Sequence, residues 1–383
     1  MARSTIFHGI KTNLLSTTSL TITSVSTAVI GLVATADDAD ATVFPLDTPV
    51  AITDVRAAIT SAGATGTLAL SLAAIADQCQ PVVVVVRVAT DATDATGQDA
   101  LVTGATHGGY TGMQALLVAE LHTGSKPRII AAPGLESPTV IGALATVAKG
   151  LRGVAYCYLP AAARDDAITA AASYGQRELM LFWPNATGTY VAALAVGLRA
   201  QIDASTGWHK TVSNVLLAGV TGLDHAITWA LDGGSSDATL LNNARITTLI
   251  NRNGWRFWGN RTTSDDDAYS FESATRTSQV LQDSIDEACF VYADKPLTLQ
   301  LVKIILSDIN TYLKKLAKAG QIIGGKAEYD PSLNNDSALN NGQLAISYDF
   351  TAVAPLEGQT YNQTITDTYY VNFNALATTT TAS

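Results

Sequence analysis

The sequence predicts an α/β fold joined to a smaller α+β unit, with an extended arm at each end. Two observations carry the first part. Val82-Val83-Val84-Val85-Val86 is an unbroken β-branched run, which suits a strand covered on both faces. Similar short apolar runs at 27–34, 128–132, 154–159 and 179–183 alternate with Ala-rich stretches of helical period. Strand alternating with helix means βαβ units and a mostly parallel sheet flanked by helices. The third observation is a change of pattern after about 206, where strand-like segments give way to two long helices. Strands followed by helices indicate an α+β unit.

The elements follow in order. Residues 1–22 are rich in Ser and Thr, with Leu20 and Ile22 as the apolar members of a loose alternation, and form the N-terminal arm. The α/β outer domain occupies 23–205, with helices near 53–62, 67–79, 112–121, 137–151, 163–174 and 189–203. Its polar, glycine-bearing stretch 89–111 is a loop or small insertion. The α+β domain occupies 206–356. It has strands at 212–218, 225–231 and 245–250, helices at 272–290 and from Pro296 to Gly320, and strands near 321–329 and 343–353. From 357 to 383 lies a C-terminal arm. Tyr361, Ile365, Tyr369, Val371 and Phe373 share one parity there, with mostly Thr, Asn and Gln between them. That is a strand with one apolar face.

Composition narrows the function. The chain has 383 residues, 47 % of them hydrophobic, enough for more than one core. Only 15 % are charged, below the roughly 25 % usual in soluble domains. Such a surface suits burial against copies of itself, because interface cores are depleted in charge; the alternative reading is a plain Ala- and Thr-rich bias of composition. The net charge of −10 argues against direct nucleic-acid binding, which needs clustered Lys and Arg. No apolar stretch approaches the roughly 20 residues of a membrane span, so no direct membrane contact is expected. The apolar run 28–34 follows Arg3 and Lys11 but lies too far from the start for a signal peptide and reads as a buried strand. Cys79, Cys157 and Cys289 are far apart and odd in number, so they read as reduced thiols of a protein made in a cytoplasm.

Catalytic motifs are missing. No GxGxxG, HExxH or GxSxG occurs. Gly320 to Lys326 matches GxxxxGK, but Ala327 follows where a phosphate loop has Ser or Thr. The match also ends a helix instead of beginning one, so it reads as a helix C-cap. Asp265-Asp266-Asp267 reads as a loop or helix N-terminus. The five histidines form no i, i+4 pair. No cofactor, metal or catalytic residue is assigned.

Three segments together resemble the tail-sheath family of contractile phages and R-type tailocins. The first is Gly254-Trp255-Arg256-Phe257-Trp258-Gly259-Asn260-Arg261-Thr262, similar to the family's Gly-aromatic-x-x-Trp-Gly-x-Arg-Thr/Ser pattern. The second is Gly207-Trp208-His209-Lys210-Thr211-Val212-Ser213-Asn214, followed by Gly219-Val220-Thr221-Gly222. The third is Val25 to Gly31, then Phe44-Pro45-Leu46 and Pro49-Val50. Order, spacing and length are similar over essentially the whole chain.

The resemblance implies a structural subunit, not an enzyme. Such a subunit is expected to polymerise helically, in stacked hexameric rings, around an inner tube, and to contract to drive that tube through a cell envelope. Implied partners are other copies, the tail tube protein, the baseplate and a tail terminator. The implied location is a virion tail or tailocin particle made in a bacterial host. In such a family the arms add strands to a sheet of neighbouring subunits, so Leu20, Ile22, Ile365, Tyr369, Val371 and Phe373 are the donating residues. Gly254, Trp255, Trp258, Gly259 and Arg261 form a packed motif, with Arg261 expected to pair with Asp265 or Asp266. The family's C-terminal domain faces the tube; Lys314, Lys315 and Lys318, at the end of the second long helix, are candidate tube contacts, the alternative being that they only complement the helix dipole. The competing readings are an α/β enzyme of unknown substrate, for which Arg87, Pro133-Gly134 and Asn185 are the nearest candidates, and another self-assembling virion protein.

Overall fold

A computed structural model describes residues 21–91, 93–367 and Tyr370. The elements in chain order are β1 (Ile30–Thr35), β2 (Val50–Ile52), α1 (Val55–Ile59), α2 (Leu68–Gln78), β3 (Val83–Val88), α3 (Ala95–Thr103), a 3-10 turn at Gly112–Val118 and α4 (Ala119–Thr123). They continue as β4 (Ile129–Ala131), α5 (Pro138–Leu151), β5 (Val154–Tyr158), α6 (Arg164–Ala171), β6 (Leu179–Phe182), α7 (Val191–Ser205), α8 (Asp237–Asn243), β7 (Ile246–Asn251) and β8 (Trp255–Trp258). The last are α9 (Glu272–Cys289), α10 (Leu299–Lys318), β9 (Ile322–Glu328), α11 (Asp336–Asn340) and β10 (Ser347–Ala352).

Eight strands form one sheet in the order β2-β3-β1-β4-β5-β6-β7-β8. Pairing is parallel from β3 through β7 and antiparallel at the two edge pairs. The valine run is β3, wholly buried between β1 and β2. The run at 28–34 is β1, also wholly buried. Two cores lie on opposite faces of the sheet. One packs Leu68, Leu72 and Ile75 of α2 and most of α7 on Leu32, Val83 and Val85. The other packs α5, Val102 of α3 and Leu241 of α8 on Val33, Val84 and Val86. A third core is separate, built from α9, α10 and β9 with Trp208. The helices start where the sequence offers caps: Asp54, Ser137 with Pro138 behind it, and Thr298 each accept a backbone N–H of the first turn.

Three expectations need correction. The stretch 89–111 contains α3, capped by Asp94, whose carboxylate accepts from Thr96 and Gly97 N–H. Its Thr and Gly content disguised a helix that tertiary burial of Val102 holds. Segments 212–218 and 225–231 are not strands; Leu216 makes only a single bridge to Arg256. The strand expected at 245–250 is β7, but it lies parallel beside β6 in the first sheet. The sheet therefore crosses the expected boundary at 205/206, which rested on a composition change caused by the irregular stretch between α7 and α8.

The GxxxxGK match lies as expected. α10 ends at Lys318, Gly320 takes φ +73°, and β9 begins at Ile322. Cys79, Cys157 and Cys289 are unbonded thiols.

Candidate functional site: arm roots and lobe junction

The aromatic motif is the outer edge of the large sheet. Asn253 and Gly254 turn β7 into β8 with φ of +51° and +107°, and a Cβ on Gly254 would stand 2.8 Å from Leu216 Cδ2. Phe257 is buried edge-to-face on Phe182, centroids 5.0 Å apart. Trp258 packs edge-to-face on Trp229 at 5.6 Å, and Trp255 is half-buried. Gly259 takes φ +140°, and a Cβ there would meet Thr247 at 2.7 Å. These residues pack, as their chemistry suggests.

Arg261 is placed differently from expectation. Its guanidinium pairs with Glu357, Nη2 to Oε2 at 2.6 Å and Nε to Oε1 at 3.1 Å. It also donates to Ser270 Oγ at 3.4 Å and lies over the Phe271 ring at 4.7 Å. Asp265 instead faces Arg245 at 3.5 Å, and Asp266 caps a short 3-10 turn. Local spacing favoured the near acids; the bidentate fit to Glu357 required the chain to return from far away. Residues 353–357 share a groove of about 450 Å³ with His209, Asn214, Trp258 and Asn260.

The root of the N-terminal arm is also fixed. Ile22 is buried in the third core with Trp208 and Leu281. Ser24 Oγ lies 3.0 Å from Tyr312 Oη, and Val25 N–H donates to Ser284 Oγ at 3.1 Å. Leu20, Tyr369, Val371 and Phe373 lie outside the described residues. Of the remaining arm residues, Tyr361 and Ile365 are 84 % and 96 % exposed. Among the described residues, 357–367 pair with no strand.

Between the roots lies a polar seam that sequence reading missed. α9 contacts the sheet lobe through Glu272, Arg276, Gln279, Asp283 and Asp286, one stripe at 4, 3, 4, 3 spacing. Arg199 of α7 lies 2.6 Å from Asp203 and 3.3 Å from Glu272, with all three fully buried. Arg276 pairs with Asp203, and its Nε stands 3.5 Å from Glu272. Tyr156 Oη donates to Glu272 at 2.7 Å, and Arg276 donates to Thr27 O at 3.3 Å. Two cations and two carboxylates thus balance. Burial opposes the charge on Arg276, but Asp203, Tyr156 and Glu272 outweigh it and raise its pKa. Burial, then Glu272, raises that of Tyr156 well above normal. Gln279 donates to Gly153 O at 2.8 Å. Farther along, Asp283 meets Arg128, Lys126 at 3.4 Å and Arg152 at 2.9 Å, and Arg152 also reaches Asp286 at 2.5 Å. The available signal was an Arg and an Asp at i, i+4 inside the mostly apolar α7.

α10 buries Val302, Ile305, Ile309, Leu313 and Leu316. Lys303, Lys314, Lys315 and Lys318 are exposed. The helix's sole carboxylate, Asp308, is buried and accepts from Tyr292 Oη at 2.6 Å.

The enzyme candidates are occupied structurally. Arg87 donates to Phe44 O at 2.6 Å and Ala36 O at 2.9 Å. Asn185 Oδ1 accepts from Ala186 and Val191 N–H at the start of α7. Gly134 supports the Tyr190 ring, which a Cβ would meet at 2.5 Å.

Comparison with known proteins agrees with this architecture. Residues 27–88 match the domain III N-terminal region of tail sheath protein Gp18, 108–263 the central domain of phage tail sheath proteins, and 264–366 their C-terminal domain. The chain is 44 % identical to the tail sheath protein of Escherichia phage P2, over 95 % of this chain and 97 % of that one. It is also 44 % identical to the major tail sheath protein of Serratia phage KSP20, over 95 % and 96 %. Its fold superposes on the contracted PVC sheath complex of an extracellular contractile injection system with TM-score 0.71 at 18 % identity, covering 96 % and 99 %. The chain belongs to the phage tail sheath family, a family of structural proteins and not of enzymes.

Proposed function

We propose that this chain is the subunit of a contractile tail sheath, polymerising helically around an inner tube and contracting to drive it through a target envelope. The observation that carries the reading is identity of 44 % along nearly the whole length of two tail sheath proteins. Both arms leave the body from fixed roots, and Tyr361 and Ile365 are exposed apolar side chains on the C-terminal one. The two-stranded β9–β10 sheet has its β10 edge free for strand addition from neighbours. Such a mesh keeps subunits linked while they rotate between two packings. The extended packing is metastable and held by a kinetic barrier.

The outer lobe in this reading is the large sheet with its helices, up to about Trp258. The tube-facing lobe is α9, α10 and β9–β10. The exposed lysines of α10 hold an acidic tube surface in a protein whose net charge is −10. Rings are hexameric and stacked, ending at a baseplate and a tail terminator, in a virion tail or tailocin made in the host cytoplasm.

Negative-stain microscopy of the purified chain tests the reading. Hollow tubes with a helical repeat are expected. Uniform small particles, with no tubes even beside the cognate tube protein, would overturn it.

A further inference from the structure

The two ends of the eight-stranded sheet differ in charge. From Ala36, just after β1, to Thr123 at the end of α4, the chain carries ten carboxylates against Arg56 and Arg87, a net of −8 in a chain of net −10. This segment builds the β2 end of the sheet, with α4 packed beside β2. Its two cations do not offset the acids. Arg87 is occupied by Phe44 O and Ala36 O, and Arg56 donates to Ala76 O at 3.5 Å. Among the described residues none of the ten carboxylates stands in an ion pair, although ion pairs occur through the rest of the chain. The hydroxyls of Thr65, Thr42 and Thr93 donate to Asp38, Asp40 and Asp91 and hold them below the usual carboxylate range, so the charge persists in mild acid. Like charge gathered without compensation repels itself, and a cationic partner relieves that repulsion.

The β8 end is the reverse. Arg252 and Arg256 flank the β7–β8 turn, and among the described residues neither meets a carboxylate. Arg252 is exposed and lies over the Trp229 ring, 5.4 Å from its centroid. Arg256 is held by Asn214, donating to its O at 3.2 Å and its Oδ1 at 3.3 Å. Beside them opens an apolar pocket of about 470 Å³, walled by Leu223, Ile227, Trp229, Ile250 and Trp255. The acidic end offers an apolar counterpart: Leu46, next to Asp47, and Leu121, next to Glu120, are 46 % and 84 % exposed.

We propose that the large lobes of successive copies meet head to tail, the acidic β2 end of one seated on Arg252, Arg256 and the Trp229–Trp255 pocket of the next. Seven strand spacings separate the two ends, roughly 34 Å, so one subunit cannot pair them within itself. A contact between unlike surfaces has no two-fold axis and repeats into a ring or a helix. Complementary charge sets its orientation and speeds encounter. It uses neither terminal arm. The proposal rests on the sheath reading and adds a second link between copies.

Zero-length carbodiimide coupling, which joins an amine to a carboxylate in direct contact, tests it on full-length Arg252→Lys. In assembled tubes the introduced amine is expected to couple to Asp37, Asp40, Asp54, Asp94 or Glu120, and in the dispersed chain to none of them. Coupling in tubes only to carboxylates outside this set, or no coupling at position 252, overturns the proposal. A second measurement does not depend on that variant assembling. Arg252→Glu is expected to slow tube growth, followed by light scattering, about threefold or more with an unchanged thermal midpoint. Lys149→Glu, the same charge change at an exposed site on α5, is expected to leave growth unaltered. Equal growth of Arg252→Glu and wild type, or equal slowing by both substitutions, overturns the proposal while the sheath reading stands. If the wild-type chain makes no tubes at all, the sheath reading falls and the proposal with it.

Discussion

Arg261 and Glu357 form a two-point ion pair between residues 96 positions apart, joining the edge of the large sheet to the root of the C-terminal arm. The guanidinium is preset by Ser270 and the Phe271 ring, and its hydrogen bonds to Glu357 raise its pKa. Tension on the arm therefore reaches β8 and the eight-stranded sheet before it reaches β10. An exposed pair contributes only about 0–1 kcal/mol to folding. Arg261→Glu is expected to leave the thermal midpoint nearly unchanged and to shorten or abolish tubes in micrographs. The exchanged pair Arg261→Glu with Glu357→Arg is expected to restore them. Full-length tubes from Arg261→Glu alone would remove the pair's mechanical role.

The buried network behaves differently. Replacing Arg199 by Met leaves Glu272 and Asp203 short of one cation in a fully buried setting. Breaking such a set costs about 3–5 kcal/mol. Denaturant unfolding of Arg199→Met is expected to show a loss of that order. A change under about 1 kcal/mol would mean that water or rearrangement replaces the missing charge.

Glu136 gives the subunit a pH dependence. Burial pushes its carboxyl up to about 7, although Tyr158 N–H donates to it at 3.3 Å. The unfolded group titrates near 4.3, so between these values the folded state binds the extra proton. Its contribution is complete below about 4.3 and declines as pH rises to about 7, by roughly 4 kcal/mol. Melting wild type and Glu136→Gln across this window is expected to show the slope in the wild type alone. Parallel curves would exclude Glu136 as its source.

The basic face of α10 is tested by charge reversal. Lys314→Glu with Lys315→Glu and Lys318→Glu is expected to abolish co-sedimentation with the tube protein while leaving unfolding unchanged. Undiminished co-sedimentation would reduce the lysines to partners of the helix dipole.

The sheet was legible in the sequence because burial on both faces imposes a local signature, which Val82 to Val86 display without help from distant residues. α3 was not, since Asp94 and one buried Val102 hold a segment of weak propensity. The boundary at 205 misled because β7 contains Thr247 and Thr248, buried but polar, and does not resemble the valine strand. The motif around Trp255 and Trp258 was found from its own residues, but its partner was not: no local rule connects Arg261 to Glu357. The same holds for the seam, where the complements of Glu272 and Arg276 sit on α7.

The seam along α9 also acts as a key with one setting. Slide the helix by one turn and Glu272 enters the place of Arg276, opposite Asp203. Two carboxylates then face each other without solvent, and Gln279 leaves Gly153 O. An apolar helix face would tolerate such a slip; this one forbids it. The two lobes are thereby locked in one register, so that in the lattice proposed above they would move as one body and leave shape change to the segments outside Ile22 and Glu357.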